Sequence, residues 1–253
     1  KNGLPLEKRK AMCQPMEGDI RGRNRIFYAV VMSMTVHRRR EPAMTTYPPE
    51  DEEYTADNIR AIAERLRSAR TKGELGEILA REVGKYSLFD LQIIGGRLNA
   101  EIEKLPSPYR EAVAPYFRDQ LFRAHHCLLT MHRSGAFRHL SGPIRDRERF
   151  DAFCAMLPSG LFVWDDAGER NPYFRNPKNR FFYYLVAAFT MFVLEEPGHP
   201  VGMPFPGGFA VEQRGNEYYC LIRDKEKDVF YSICNFCPAH QSEEPARNLS
   251  SLH

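Results

Sequence analysis

The chain has 253 residues, 43% of them hydrophobic and 27% charged, enough for one large domain or two small ones with a real buried core. That balance excludes collagen-like, disordered and coiled-coil classes. No apolar run reaches the ~18 residues that a membrane-crossing helix needs. The net charge of +3 conceals an asymmetry: residues 1–43 hold ten Lys/Arg and four Asp/Glu, whereas the remainder holds 26 and 29. A mildly acidic body does not suit phosphate-backbone binding, so charge argues against a nucleic-acid partner.

Residues 1–53 combine basic clusters, the apolar run Ile26 to Val36 and the stretch Tyr47-Pro48-Pro49-Glu50-Asp51-Glu52-Glu53. They read as a disordered tail, or as sequence preceding a true start at Met44, with a membrane-touching arm as a third option. The apolar run is followed by His37-Arg38-Arg39-Arg40 rather than by a small-residue cleavage site, so it does not read as a signal peptide. A long chain rich in core residues needs no disulfide staples, and a reducing cytoplasm is expected.

Helices dominate the chain from residue 55 to residue 157. Thr55 caps a predicted helix carrying Ile59, Ile62, Ala63 and Leu66. Thr71-Lys72-Gly73-Glu74 has the form of a capping box, ahead of Leu75, Ile78, Leu79 and Val83, with Gly84 as a stop. Ser87 to Asp90 opens a third helix with Leu91, Ile94, Leu98, Ile102 and Leu105 on one stripe, ended by Pro106. Gly95-Gly96 inside it permits close helix packing. Ser107-Pro108 starts a fourth, lined by Val113, Phe117, Leu121, Ala124, Leu128 and Met131, which Pro115 kinks or truly begins. On it, His125, His126 and His132 near Asp119 read as ordinary polar-face side chains, with a metal or proton-transfer site as the sharper alternative. Arg145 to Leu157 is a shorter helix carrying Phe150 and Phe153.

The C-terminal module begins at 158. Phe181 to Leu194 is apolar nearly all round, which suits a central helix buried on most sides. The twelve residues 197–208 hold four Pro and four Gly, a composition expected to prevent helix and ladder alike. With Val, Met and Phe interleaved, this reads as an ordered connector packed on the body. A ligand-facing loop with His199 at its tip is the functional alternative. Phe209 to Gln213 and Glu217 to Ile222 alternate around Arg214-Gly215-Asn216, a β-hairpin signal. The charged run Arg223 to Asp228 reads as a solvated loop.

Cys220 ends the second predicted strand, and Cys234-Asn235-Phe236-Cys237-Pro238 lies downstream, giving C-x13-C-x2-C-P. A C-x2-C turn brings two thiolates to one centre, and soft thiolates suit zinc or iron–sulfur. Three thiolates are not four. Cys154 is the candidate fourth ligand, although it also fits a plain core cysteine, and His240 is its rival. A redox dithiol of Cys234 and Cys237 is a further alternative, but the βαβ context it wants is not found.

The stretch from Asn179 through Gln241 resembles an uncharacterised family of conserved archaeal proteins, found mainly in methanogens and known as a domain of unknown function. The resemblance is carried by Phe182-Tyr183-Tyr184-Leu185, by the run from Glu196 to Phe209, and by Tyr219-Cys220 through Cys234-Asn235-Phe236-Cys237-Pro238-Ala239. Tyr86 to Leu91 and Tyr109-Arg110 look similar too, so it covers about residues 55–241. It implies an anaerobic archaeal cytoplasm, where iron–sulfur centres survive. In the family pattern a Pro often follows the first hairpin cysteine, where this chain has Leu221, and His240 is not a fixed feature. The first 50 residues fall outside it.

The expected fold is mainly α (α+β), a bundle-like helical body with a small C-terminal β-hairpin and cysteine knuckle. One compact domain is expected over 54–241, with a tail at 242–253. The expected function is a cytoplasmic metal-stapled binding or assembly protein, its centre on Cys220, Cys234, Cys237 and Cys154, with [4Fe–4S] placed ahead of zinc and a protein as its partner. An iron–sulfur enzyme or electron-transfer protein of anaerobic archaeal metabolism, with His199 lining a pocket, is the alternative.

Overall fold

The computed structural model describes residues 54–162 and 177–243. The disordered tail or late start expected over residues 1–53 lies outside the described residues, as does the tail expected over 242–253 except for its first two residues, of which Ser242 is buried with its N–H on the Cys220 carbonyl. Helix α1 (Ala56–Ser68) starts where the Thr55 side chain accepts from the Asn58 N–H, and buries Ile59, Ile62, Ala63 and Leu66. Helix α2 (Lys72–Val83) opens on the predicted capping box, with Thr71 and Glu74 exchanging both bonds. The Lys72 and Gly73 N–H groups, otherwise without intrahelical partners, donate to the Gly142 and Leu140 carbonyls at 3.0 and 2.9 Å. Gly84 ends α2 in a right-handed conformation (φ −64°), not in the left-handed one that a glycine stop suggests.

Helix α3 (Leu88–Glu103) has a second capping box, between Ser87 and Asp90. Its packing is close at Gly95, where an added Cβ would meet the Phe122 ring at 3.1 Å, but open at Gly96. Helix α4 (Tyr109–Arg118) contains Pro115 and continues through a π-helical segment, Asp119–Arg123, into α5 (Ala124–Arg133). The predicted stripe is buried in full, from Val113 to Met131. A short 3₁₀ turn, Ala136–His139, leads to α6 (Arg147–Gly160). The three histidines of α5 do not converge. His132 Nδ1 pairs with Glu77 at 2.9 Å, His125 packs on the Phe182 ring at 5.3 Å, and Asp119 pairs with Arg123 at 2.8 Å.

The aromatic run forms α7 (Pro177–Ala188) and a second π-helical segment, Phe189–Leu194. Phe181, Phe182, Tyr184, Leu185, Val186, Phe189 and Val193 are all buried in the main core cluster. α1 packs on α6, and α2 packs on α5 and on both parts of the aromatic run. Edge-on rings join them, Phe150–Phe192 at 5.0 Å and Phe137–Phe189 at 6.3 Å. At the end of the run Glu195 adopts φ +61°, a left-handed conformation costly for a non-glycine residue. Its carboxylate is held by Lys72 at 2.8 Å.

The Pro/Gly stretch corrects one expectation. Within it β1 (Pro204–Phe205) pairs antiparallel with β2 (Phe209–Ala210) around Gly207 and Gly208, whose φ values of +90° and +82° permit the turn. The ladder needs only two residues a side, so proline can stand at its edge. The predicted hairpin is therefore shorter: β3 (Glu212–Arg214) pairs with β4 (Glu217–Cys220). An unforeseen strand, β5 (His240–Gln241), runs parallel to β4.

A candidate thiolate centre

Cys220 closes β4, where its carbonyl accepts the Ser242 N–H at 3.2 Å. Cys234 lies in a 3₁₀ turn, Ile233–Phe236, opened by Ser232, whose Oγ accepts the Cys234 N–H at 3.3 Å. That turn is pressed against the helical body through Phe236, edge-on to Phe153 of α6 at 5.4 Å. The Cys237 N–H donates to the Cys234 carbonyl at 3.3 Å, which closes the C-x2-C turn. All three thiols are free and buried.

The three share one electrostatic environment. Burial is the main force raising each thiol pKa. Cys237 raises both others, and Cys220 further raises Cys234. Opposing this, backbone N–H groups face two of the sulfurs. Ile222 and Arg223 donate to Cys220, and Ala239 and Gly198 donate to Cys237. Arg149 and Arg223 add positive charge near Cys237. The Arg149 Nη1 also donates to the Cys237 carbonyl at 3.3 Å. Successive N–H groups aimed at one anion form the backbone cradle seen at many phosphate and iron–sulfur sites.

Cys154, the predicted fourth ligand, has other neighbours. It is buried on α6, and burial pushes its thiol up to about 12. The charges acting on it are Asp151, Arg147, Arg67 and Glu64, on α6 and α1. His240 is exposed and stands beside Tyr219 in the β4–β5 register, its ring 5.6 Å from the Tyr219 ring. Side chains alternate along a strand, so His240 lies on the face opposite Cys220, which is level with Gln241. Among the described residues, no group of three or more His, Cys, Asp or Glu side chains is arranged to hold a metal ion.

His199 is not at a loop tip. It is 4% exposed, edge-on to Phe205 at 5.7 Å, and burial lowers its pKa to about 4. Its neighbour Gly198 links the loop to the centre. The Gly198 N–H faces Cys237, and its carbonyl accepts from Gln120 Nε2 at 2.7 Å. Gln120 lies in the first π-helical segment and also hydrogen-bonds Tyr183, whose phenol faces Cys234 and Cys237. π-Helical segments are uncommon and recur at functional sites. Gln120 carries no motif, and Tyr183, although it lies in the Phe182 to Leu185 run that carries the resemblance, has no spacing that ties it to the cysteines. Glu226 is equally silent in sequence: the run expected to be a solvated loop forms a 3₁₀ turn, Arg223–Glu226, with Glu226 only 4% exposed. Alternating charges look solvated in sequence, and only the packing of two 3₁₀ turns on each other buries one of them. One described cleft, of about 810 Å³, lies elsewhere, against the start of α2 and residues 137–141.

A family model described as "Uncharacterized protein conserved in archaea (DUF2115)" matches residues 71–242. Among similar proteins, UPF0305 protein MJ0646 of Methanocaldococcus jannaschii is 22% identical over 174 residues, 68% of this chain and 96% of that protein. UPF0305 protein MK0666 of Methanopyrus kandleri is 30% identical over 139 residues, 55% of this chain and 88% of that protein. Two matches to a UPF0305 protein of Methanothermobacter thermautotrophicus, 43% and 38% identical, each cover 24% of this chain and span 39% and 37% of the relative's length. No solved structure matches this chain. No helix among the described residues is long and apolar enough to cross a membrane.

Proposed function

We propose that this chain, which belongs to the DUF2115 family of proteins conserved in archaea, is a metal-stapled binding or assembly protein of the cytoplasm, centred on Cys220, Cys234 and Cys237. The observation that carries this reading is the pair of backbone N–H donors at each of Cys220 and Cys237. A protonated thiol needs no such donors, whereas a thiolate is stabilised by them and by a bound cation. With no cation bound, burial outweighs the donors and keeps the thiols protonated. A metal supplies the missing charge, and its binding energy is then folding energy for a module whose strands are only two to four residues long. Iron–sulfur is favoured over zinc, because hydrogen bonds to sulfur are a main protein lever on such clusters.

The role proposed is structural and adhesive rather than catalytic. The test is anaerobic purification of the full chain with iron and zinc counted per chain. About four irons with broad visible absorption are expected, and chelation should lower the melting temperature. Metal-free protein, or a chelator without effect on melting, overturns the reading.

A further inference from the structure

Helix α3 is apolar on two faces, and the described body packs only one of them. Of its sixteen residues only Ile94, Glu101 and Ile102 are buried, against seven of twelve in α2. Leu91 and Leu98, on the side of Ile94 and Ile102, are partly buried against the core. On the opposite side Phe89 and Ile93 follow each other at i, i+4, with Leu88 next to Phe89 in the first turn. Leu88 and Phe89 are 74% and 68% exposed, the two most exposed large apolar side chains among the described residues. Ile93 is half-buried and does not join the core cluster. A single exposed apolar side chain is ordinary, but a helix apolar on all sides is one that is covered on all sides.

The chain enters the described body at this same corner. Tyr54 is buried, its ring 6.2 Å from that of Tyr86, which lies two residues before α3. The Tyr86 hydroxyl donates to the Lys178 carbonyl at 2.6 Å, and the Lys178 ammonium pairs with Asp90, in the first turn of α3, at 3.1 Å. Upstream of Tyr54 the longest apolar run is Ile26 to Val36. Residues 37–53 separate that run from Tyr54. As a flexible chain they span roughly 20–25 Å, enough to reach a face that begins two residues beyond Tyr86. We propose that the run Ile26 to Val36 docks on the Leu88, Phe89 and Ile93 face of α3 in the same chain. A short tether holds the two apolar surfaces at a high effective concentration, so each buries the other in preference to a surface on a separate molecule. The inference is independent of the proposed cysteine centre and stands or falls without it.

The test uses the full chain, with a photoreactive benzophenone side chain in place of Phe89 and equal parts of light and heavy isotope-labelled protein. Illumination should join position 89 to residues 26–36, within light chains and within heavy chains. Hydrogen exchange supplies the reciprocal readout. Val30→Asp combined with Val31→Asp should raise exchange at residues 88–93 by about tenfold or more and leave α1 and α2 unchanged. Phe89→Glu, at a side chain that the described body leaves exposed, should raise exchange at residues 26–36 in the same way. Mixed light–heavy products would assign the face to a second copy, and products with residues 163–176 would assign it to that segment; either overturns the inference. So does a position 89 that captures nothing, or exchange at 88–93 that does not respond to the Val30 and Val31 substitutions.

Discussion

His199 shows how burial at one residue sets the behaviour of the whole chain with pH. Its imidazole is enclosed, against Phe205, and burial lowers its pKa from 6.5 to about 4. The unfolded chain takes up that proton near pH 6.5 and the folded chain does not until about pH 4. The stability tied to neutral His199 is therefore complete above pH 6.5 and is lost as pH falls toward 4, by roughly 3 kcal/mol. Equilibrium unfolding near pH 7 and at about pH 4.5 should show this loss in wild type, and much less of it in His199→Gln. An equal loss in both would assign the acid sensitivity to other groups. Burial also lowers His125 of α5, beside Phe182, whereas His132 is half-exposed in a pair with Glu77, where an ion pair contributes little.

At the scale of the element, α2 is fixed at its start by two kinds of contact. Local sequence supplies the Thr71–Glu74 capping box, and the chain at 140–142 supplies carbonyls to the next two N–H groups. That docking brings the Phe137 carbonyl against Gly73 so closely that an added Cβ would overlap it. Gly73→Ala should therefore destabilise by about 2–3 kcal/mol, since backbone cannot move aside as a side chain can. Gly96→Ala is the control. Nothing lies within 4 Å of its added Cβ, and removing glycine from a helix interior should stabilise by up to about 1 kcal/mol. Paired thermal melts check both signs. The two glycines look alike in sequence, each inside a helical pattern, and only the neighbour across the packing surface separates them.

At the scale of the whole molecule, the helical body and the cysteine module are joined through the aromatic run. Phe153 of α6 meets Phe236 between Cys234 and Cys237. From α7, the Tyr184 hydroxyl donates to the Tyr231 carbonyl at 2.6 Å, a fully buried bond across 47 residues. Tyr184→Phe keeps the ring and removes that buried bond, so it should cost about 1 kcal/mol. Hydrogen exchange should show the loss first at residues 229–237, ahead of α1 and α2. Uniform loosening would mean that the module and the body unfold together.

The amino-acid sequence by itself determined the helical body. Capping boxes at Thr71 and Ser87, apolar stripes in α1 and through α4 and α5, and the unbroken aromatic run are local signals, legible because a helix is closed by bonds within four residues. It also marked Cys220, Cys234 and Cys237 by spacing. Tertiary structure alone decided what surrounds them. Sequence points to Cys154 as a further thiol, and in the fold it is buried on α6 where the charges acting on it come from α6 and α1. Spacing points to His240, but the register of β5 sets it beside Tyr219. Gln120 and Glu226 carry no pattern, and the aromatic run that holds Tyr183 does not single it out, because what distinguishes these residues is their surroundings of residues distant in the chain or in a separate turn. The two-residue pairings of β1 with β2, and of β5 with β4, are likewise too short to leave a periodicity. Local hydrogen bonding writes itself into sequence, whereas the neighbours of a buried polar group are fixed only when separate segments pack.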